Sequence, residues 1–288
     1  MTARPDAGPA GEHEQLALAA MPKRLFACTP SRLAAYDCPR RYRMTYLDRP
    51  TPQRGGPWAH TTLGAVTHVA LHRWWQLPRA ERTPPNGALA VARNWRSDGF
   101  RDEDQSAVWR ARAEEWVTRY LTGVDPAAEP VGVERVVATR TRRLALSGRV
   151  DRIDERGGEL VIVDYKTGRH PPGDDDARTS PALACYALAT QRTLRRACRR
   201  VELHHLPSGT VAAHEHTDES LARQIGRAEA TADDIVAASD ALDAGADRDE
   251  AFPARPSSLC AWCDFRRHCA PGQAAAPAVE TWAGLPDR

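Results

Sequence analysis

The chain has 288 residues, of which 42% are hydrophobic and 27% are charged, and its formal net charge is +2. This composition suits a folded protein with one large domain or two small ones, and it excludes a chain that is disordered throughout. No apolar run approaches the roughly 20 residues of a membrane span, and the amino terminus lacks the pattern of a signal peptide. We therefore expect a cytoplasmic protein with no membrane partner.

The first half of the chain is predicted to be helical. Residues 1–24 are rich in Ala, Pro and Gly and are expected to form a disordered tail. A short helix begins after Thr29, which is a favourable capping residue followed by proline. Two further helical regions are predicted at 63–76 and within 89–122, and the proline-rich segment 78–88 separates them.

The pattern changes to β-rich sequence after residue 131. Three strands are predicted at 133–140, 142–154 and 159–166, and Gly157-Gly158 joins the last two as a hairpin. A helix at 179–195, a second hairpin around Ser208-Gly209 and a helix at 218–243 follow the loop 168–177. This order predicts an α/β protein with a small mixed sheet flanked by helices.

Two carboxylates and one lysine are predicted to meet at the end of the first hairpin. Asp164 and Lys166 are two residues apart on one strand, so they share a face, and the hairpin brings Asp151 beside them. Carboxylates are hard oxygen ligands for Mg²⁺ or Mn²⁺, and the backbone carbonyl of Tyr165 adds a further oxygen. Such a metal activates water for attack on a phosphoryl group, and the lysine stabilises the charge that develops.

A simpler alternative is an exposed ion pair at a strand end, worth at most about 1 kcal/mol. The composition weighs against it, because the chain has only two lysines, Lys23 and Lys166, and otherwise uses arginine. Arginine stays protonated at any working pH, whereas a buried lysine can lose its proton. The lysine at 166 therefore favours a chemical role over a general need for positive charge.

The stretches GRVDRIDE and VDYKTG, at 148–155 and 163–168, resemble the RecB-type branch of the PD-(D/E)XK nuclease superfamily. The resemblance implies a restriction-endonuclease-like core in which Asp151 and Asp164 are the metal-binding acids and Lys166 is the catalytic lysine. It also implies that the histidine of a Gly-x-x-x-His helix joins the metal, which nominates His68 in GAVTH. An ordinary helical histidine is the alternative for His68.

The family also has a Gln-x-x-x-Tyr pattern on the helix after the lysine strand. Tyr186 matches the tyrosine, which the resemblance places in the catalytic site, but Ala182 stands where the glutamine is usual. This departure leaves the metal ligands intact and affects how the helix contacts DNA or orients the lysine. Tyr186 as a plain core residue is the alternative.

Seven cysteines are present, and three form the tail motif Cys260-x2-Cys263-x5-Cys269. Cys38 is the best fourth ligand, with Cys28 as its rival. Thiolates bind zinc or an iron–sulfur cluster, and the spacing leaves both open. The resemblance to iron–sulfur RecB-like nucleases, including AddB-type and CRISPR-associated relatives, implies a [4Fe–4S] cluster that clamps the two ends of the domain together.

A basic cluster follows Cys38 in the sequence. Arginines with an interleaved aromatic residue are typical of a surface that binds phosphates and stacks on a base, and this predicts a DNA contact. A solvated helix face is the alternative. The residues of this cluster are Arg40, Arg41, Tyr42 and Arg43.

Together these observations predict one nuclease domain at 25–272. Within it we expect a helical insertion at 78–130, a catalytic core at 131–216 and a cysteine-rich segment at 257–270. A flexible tail is expected at 273–288.

The predicted function is a metal-dependent DNA exonuclease that acts on single strands or duplex ends in repair, recombination or defence. No phosphate-binding loop of the GxxxxGK[ST] type occurs in the sequence, so any ATP-driven unwinding requires a helicase partner. The alternative is a non-hydrolytic DNA-binding or scaffold subunit that keeps the fold and the cluster.

Overall fold

The computed structural model describes residues 25–286, so the tail predicted at 1–24 lies outside the described residues. Helices and strands alternate along the chain much as the sequence pattern predicts. In order they are β1 (Phe26–Cys28), α1 (Pro30–Ala34), α2 (Pro39–Tyr46), α3 (Ala59–Trp75), α4 (Pro84–Arg93), α5 (Glu103–Thr122), β2 (Gly132–Arg140), β3 (Leu144–Arg156), β4 (Glu159–Lys166), α6 (Asp174–Thr179), α7 (Pro181–Leu194), β5 (Cys198–His205), β6 (Thr210–Glu215), α8 (Asp218–Asp243), α9 (Arg248–Ala251) and α10 (Ala270–Ala275).

The strands form one mixed sheet. Its order is β1-β3-β4-β5-β6, and β2 pairs with the other edge of β3. The pairs β2–β3, β3–β4 and β5–β6 are antiparallel, whereas β1–β3 and β4–β5 are parallel. A mixed sheet flanked by helices, as in the restriction-endonuclease-like fold, is therefore confirmed.

Apolar cores cover both faces of the sheet. On one face α1, α7 and α8 pack over Leu160 and Ile162 of β4. On the other face α3, α4 and α5 pack over Val161, Val163 and Tyr165 of the same strand. A strand that is buried on both faces is expected to be apolar at successive positions, which explains the run Leu160–Val163.

Three local differences from the predicted elements have simple causes. β1 has only three residues and is too short to show a periodic pattern. The helix-free proline-rich segment ends before the predicted residue 88. Helix α4 already begins at Pro84, because prolines suit the first turn of a helix. The predicted loop 168–177 contains the start of α6, where Asp176 Oδ2 accepts a hydrogen bond from the backbone N–H of Gly173 at 2.8 Å.

The carboxyl-terminal segment is packed against the domain as far as residue 286. Leu285 is buried in the core with α3 and α5, and its carbonyl accepts a hydrogen bond from Gln105 Nε2 at 3.0 Å. The backbone N–H of Ala59 donates to the carbonyl of Thr281 at 3.1 Å. The sequence predicts a flexible tail from residue 273, whereas the structure packs apolar side chains of this segment on a complementary surface. None of the helices in 25–286 has both the length and the apolar character of a membrane span.

Candidate active site

The candidate site lies where β3 and β4 separate. Pairing between these strands stops at Arg152 and Val163, one residue before the two acids. In place of a ladder bond, Asp151 Oδ2 accepts a hydrogen bond from the backbone N–H of Tyr165 at 2.9 Å. Lys166 Nζ lies 2.5 Å from Asp164 Oδ2, as their shared strand face predicts. The opening of the sheet therefore brings both carboxylates and the ammonium to one place.

His68 reaches this opening from α3. Its Nδ1 is 3.3 Å from Asp151 Oδ1, and its Nε2 is 3.1 Å from the carbonyl oxygen of Tyr165. Gly64 precedes it by one helical turn, and a Cβ there would be 3.2 Å from Thr167 Oγ1. The glycine thus lets the helix approach the end of β4 closely enough for the histidine to reach the acids. The structure brings together all four residues that the sequence nominated around the metal.

The site concentrates negative charge at a partly buried position. Burial raises the pKa of Asp164, and Lys166 opposes this rise while Asp151 reinforces it. Burial lowers the pKa of His68, but the hydrogen bond and charge of Asp151, with the charges of Asp164 and Glu134, raise it overall. The upward shifts of the pKa values of His68 and Asp164 both indicate that this place attracts positive charge.

One carboxylate oxygen lacks a well-formed hydrogen bond. Asp164 Oδ2 is inaccessible to water and has no partner in acceptable hydrogen-bond geometry, although the Lys166 ammonium is near. A buried charged oxygen without such a bond is costly. A divalent cation would satisfy it, so the donor set of one imidazole, two carboxylates and a carbonyl oxygen fits Mg²⁺ or Mn²⁺. Lys166 itself is 46% exposed, so it faces solvent and not a dry interior.

Glu134 is a site residue that the sequence reasoning missed. It is the β2 residue in register opposite Asp151, between the pairs Val133–Arg152 and Arg135–Val150. Its φ of +48° is rare for a residue with a side chain. Its carboxylate lies with the ligand atoms of His68 and Asp151 in a group within 4.8 Å. Only the strand register could have revealed this residue, because it places Glu134 directly opposite Asp151. Two like charges in that arrangement are destabilising without a cation.

Tyr186 faces the site from α7. It lines a cleft of about 710 Å³ together with His68, Glu134 and Asp151, and it also packs against the apolar core. Burial and the charges of Asp164 and Asp151 raise the pKa of Tyr186 to about 12, which keeps its hydroxyl protonated as a donor. Ala182 lies one turn earlier on the same helix.

A polar network lies on the opposite face of the same two strands. The buried Arg152 donates from Nη1 to the hydroxyls of Tyr120, at 3.0 Å, and Tyr165, at 3.1 Å. It also pairs with Asp154, at 2.9 Å. The side chain of Tyr165 is thus held on this face while its backbone contacts Asp151 and His68 on the other.

Most side chains of the predicted DNA-contacting cluster have partners within the domain. Tyr42 is fully buried between Tyr36, Tyr46 and Phe252, so it is not free to stack on a base. Arg40 and Arg43 are nearly buried and both pair with Asp249, at 2.7 and 3.2 Å. Arg41 is part-exposed and pairs with Asp37. These side chains join α2 to α9, a role that local sequence could not reveal because α9 is 200 residues away.

Four cysteines from the two ends of the domain line one narrow cavity: Cys38, Cys260, Cys263 and Cys269. Cys260 Sγ accepts a hydrogen bond from the backbone N–H of Ser257 at 3.4 Å, and Cys269 Sγ accepts one from Arg40 at 4.0 Å. A Cβ at Gly272 would be 3.3 Å from Cys269 Sγ, so the glycine leaves room beside the sulfurs. This donor set fits a thiolate-bound metal group. Cys28, the rival ligand, is buried in the apolar core instead.

Comparison with known proteins places these features in context. The family model of the PD-(D/E)XK nuclease superfamily matches residues 27–270. A solved protein from Eubacterium rectale, described as a candidate exonuclease, aligns with 91% of this chain and 94% of its own, at 10% identity and a TM-score of 0.49. No curated protein matches the chain.

Proposed function

We propose that this chain, which belongs to the PD-(D/E)XK nuclease superfamily, is a metal-dependent exonuclease that hydrolyses phosphodiester bonds in DNA. The observation that carries the proposal is the convergence of His68, Asp151, Asp164 and Lys166 at the opening between β3 and β4. A role in repair, recombination or defence, in the cytoplasm and with a helicase partner, belongs to the same proposal.

The bound ion, Mg²⁺ or Mn²⁺, would polarise a phosphoryl oxygen and lower the pKa of a bound water. His68, Asp151, Asp164 and the carbonyl of Tyr165 would hold it, because their oxygen and nitrogen atoms line the same opening. Lys166 is exposed enough to reach a phosphate while it remains beside Asp164. Its ammonium orients the attacking water and offsets the charge that develops on the phosphate.

Cleavage of labelled single-stranded and duplex DNA in Mn²⁺ tests this function. We expect wild type to release short products, and Asp164→Asn and Lys166→Met to lose at least about a hundredfold in rate, as for removal of a charge-stabilising group. Asp218→Asn is the matched control, because Asp218 is an exposed acid that pairs only with Arg199 among its described contacts. Cleavage by Asp164→Asn at the wild-type rate would contradict the proposal.

DNA binding without cleavage by wild type would favour the alternative, a scaffold subunit that retains the fold. The control variant separates this outcome from a general loss of folded protein. End-labelled strands also report the mode, because an exonuclease shortens them progressively and leaves a circular strand intact.

We further propose that Cys38, Cys260, Cys263 and Cys269 hold a [4Fe–4S] cluster. The shared cavity of the four side chains supports this proposal, and the cysteine order resembles that of iron–sulfur RecB-like nucleases. Such a group joins the chain at residues 38 and 269, so it would stabilise the fold mainly by restricting the unfolded chain. Its role is structural and not hydrolytic.

Anaerobic purification followed by metal analysis tests the cluster. A brown protein with about four irons per chain is expected for a cubane cluster, and Cys263→Ser should lose both the colour and the iron. Cys185→Ser is the matched control, since Cys185 is buried in the apolar core. A colourless protein with one zinc per chain would replace the cluster with the zinc alternative.

A further inference from the structure

Arg149 stands beside the metal centre, and the nuclease mechanism does not use it. It precedes Asp151 by two residues on β3, so both side chains project from the same face. It lines the 710 Å³ cleft together with His68 and Tyr186, and its side chain is 67% exposed. The guanidinium is therefore accessible to a molecule that enters the cleft.

The partner of Arg149 is also a neighbour of the metal site. Arg149 Nε lies 2.9 Å from Glu134 Oε2, and the Glu134 carboxylate is grouped within 4.8 Å of ligand atoms of His68 and Asp151. The rare φ of +48° at Glu134 occurs at this register position opposite Asp151. One carboxylate thus lies between an exposed arginine on one side and the place that attracts a divalent cation on the other.

We propose that Arg149 binds a backbone phosphate of the DNA strand in the cleft, and that Glu134 keeps this arginine in an ion pair until the metal is bound. This inference rests on the proposed nuclease function. A bound metal would attract the Glu134 carboxylate and weaken its ion pair with Arg149, which would leave the guanidinium free to bind the phosphate. Metal and DNA then bind cooperatively.

Two physical properties favour the exchange of Glu134 for a phosphate as the partner of Arg149. An ion pair with an exposed partner contributes little to stability, so Arg149 can exchange Glu134 for a phosphate at little cost. The planar guanidinium donates two parallel hydrogen bonds to phosphate oxygens, which a lysine does not do. The hydroxyls of Thr29, Ser31 and Thr61 line the same cleft and are further donors for the strand.

DNA affinity, and not activity, is the direct test. Anisotropy of fluorescein-labelled DNA is measured in the Lys166→Met background, which prevents cleavage. Loss of one phosphate contact should weaken binding by about fivefold for a single strand or eightfold for a duplex near 0.1 M salt, and lower the salt slope by about 0.7 or 0.9. We expect this change for Arg149→Ala and a smaller one for Arg149→Lys.

Arg142→Ala is the matched control. Arg142 is 84% exposed, pairs with Glu229, and lies in the turn before β3, seven residues before Arg149 and outside the residues that line the cleft. The control should bind like its parent. Equal affinity and equal salt slope for the Arg149→Ala and Arg142→Ala proteins would overturn the proposal.

Glu134→Gln tests whether the ion pair with Glu134 restrains Arg149 before the metal is bound. In EDTA, removing this charge should strengthen DNA binding more when Arg149 is present than in the Arg149→Ala background. The gain in affinity on adding Mn²⁺ should shrink in the Glu134→Gln protein. Equal effects of Glu134→Gln in both backgrounds would show that Glu134 does not restrain Arg149, because simple repulsion between Glu134 and DNA predicts that result.

These outcomes are separable from those of the proposed function. If wild type cleaves DNA but Arg149→Ala binds normally, the phosphate contact is refuted and the nuclease function stands. If wild type does not cleave and binding still depends on Arg149, the contact stands and the nuclease function fails. Thermal unfolding of each variant shows that it is folded, and Arg149→Lys keeps the test valid if the alanine protein is unstable.

Discussion

Arg152 offers the strongest test of how the sheet supports the site. Its side chain is 5% exposed. It pairs with Asp154 of the same strand and joins β3 to the hydroxyls of Tyr120 on α5 and Tyr165 on β4. We consider Arg152→Leu, which keeps apolar contact with Trp75 but removes the guanidinium. The change removes the donor shared by the hydroxyls of Tyr120 and Tyr165 and one of the two arginines that pair with Asp154.

The expected loss of stability follows from these contacts. Removing one member of a buried ion pair costs about 3–5 kcal/mol. Asp154 retains Arg156 at 3.0 Å, so we take the lower end, about 3 kcal/mol. For a domain of this size about 1 kcal/mol corresponds to roughly 2–4 °C, which predicts a decrease in Tm of about 6–12 °C.

Thermal unfolding monitored by circular dichroism measures this decrease. Arg142→Leu is the control, because its exposed ion pair with Glu229 contributes at most about 1 kcal/mol. A second readout is Mn²⁺ affinity, which should also fall, since Arg152 fixes the side chain of Tyr165 whose backbone contacts Asp151 and His68. If Arg152→Leu loses no more stability than Arg142→Leu, the buried network does not support the sheet as argued.

Three further predictions concern the surroundings of the site. In Gly148→Ala the new Cβ would lie 2.5 Å from Tyr186 Cε1, so the tyrosine ring must move. Cleavage should then slow without loss of Mn²⁺ binding. An unchanged cleavage rate would show that the ring position is unimportant. Gly64→Val should push α3 away from β4, because even the first side-chain carbon would be 3.2 Å from Thr167 Oγ1. Calorimetry should then show weaker Mn²⁺ binding. Wild-type Mn²⁺ affinity in this variant would contradict the argument that Gly64 allows the close approach. Burial, with the neighbouring His214, lowers the pKa of His216 to about 4, below the unfolded value of about 6.5. The unfolded chain then binds more protons between these values, so the free energy of unfolding should fall by up to about 1.4 kcal/mol per pH unit as the pH drops through this window. Urea unfolding at pH 7 and pH 5 should show this slope in wild type and a reduced slope in His216→Gln; equal slopes would refute the assignment.

The sequence by itself determined which side chains of the site share an element and a face. Alternation along β4 places Asp164 beside Lys166, and one helical turn separates Gly64 from His68. These relations depend only on the period of a strand or a helix, so they are readable without the fold. The hairpin spacing likewise predicts that Asp151 lies near Asp164.

Only the tertiary structure decided what covers each face and what lies across it. The cluster at Arg40–Arg43 has the composition of a DNA-binding surface, yet Asp249 of α9 pairs with two of its arginines and its tyrosine is buried. Glu134 enters the site through the register of β2 and its own unusual φ. The segment 276–286 packs on the domain because α3 and α5 offer an apolar surface. Local periodicity specifies the direction of a side chain within its own element, whereas burial and pairing depend on partners that are distant in sequence, and the folded chain alone brings these together.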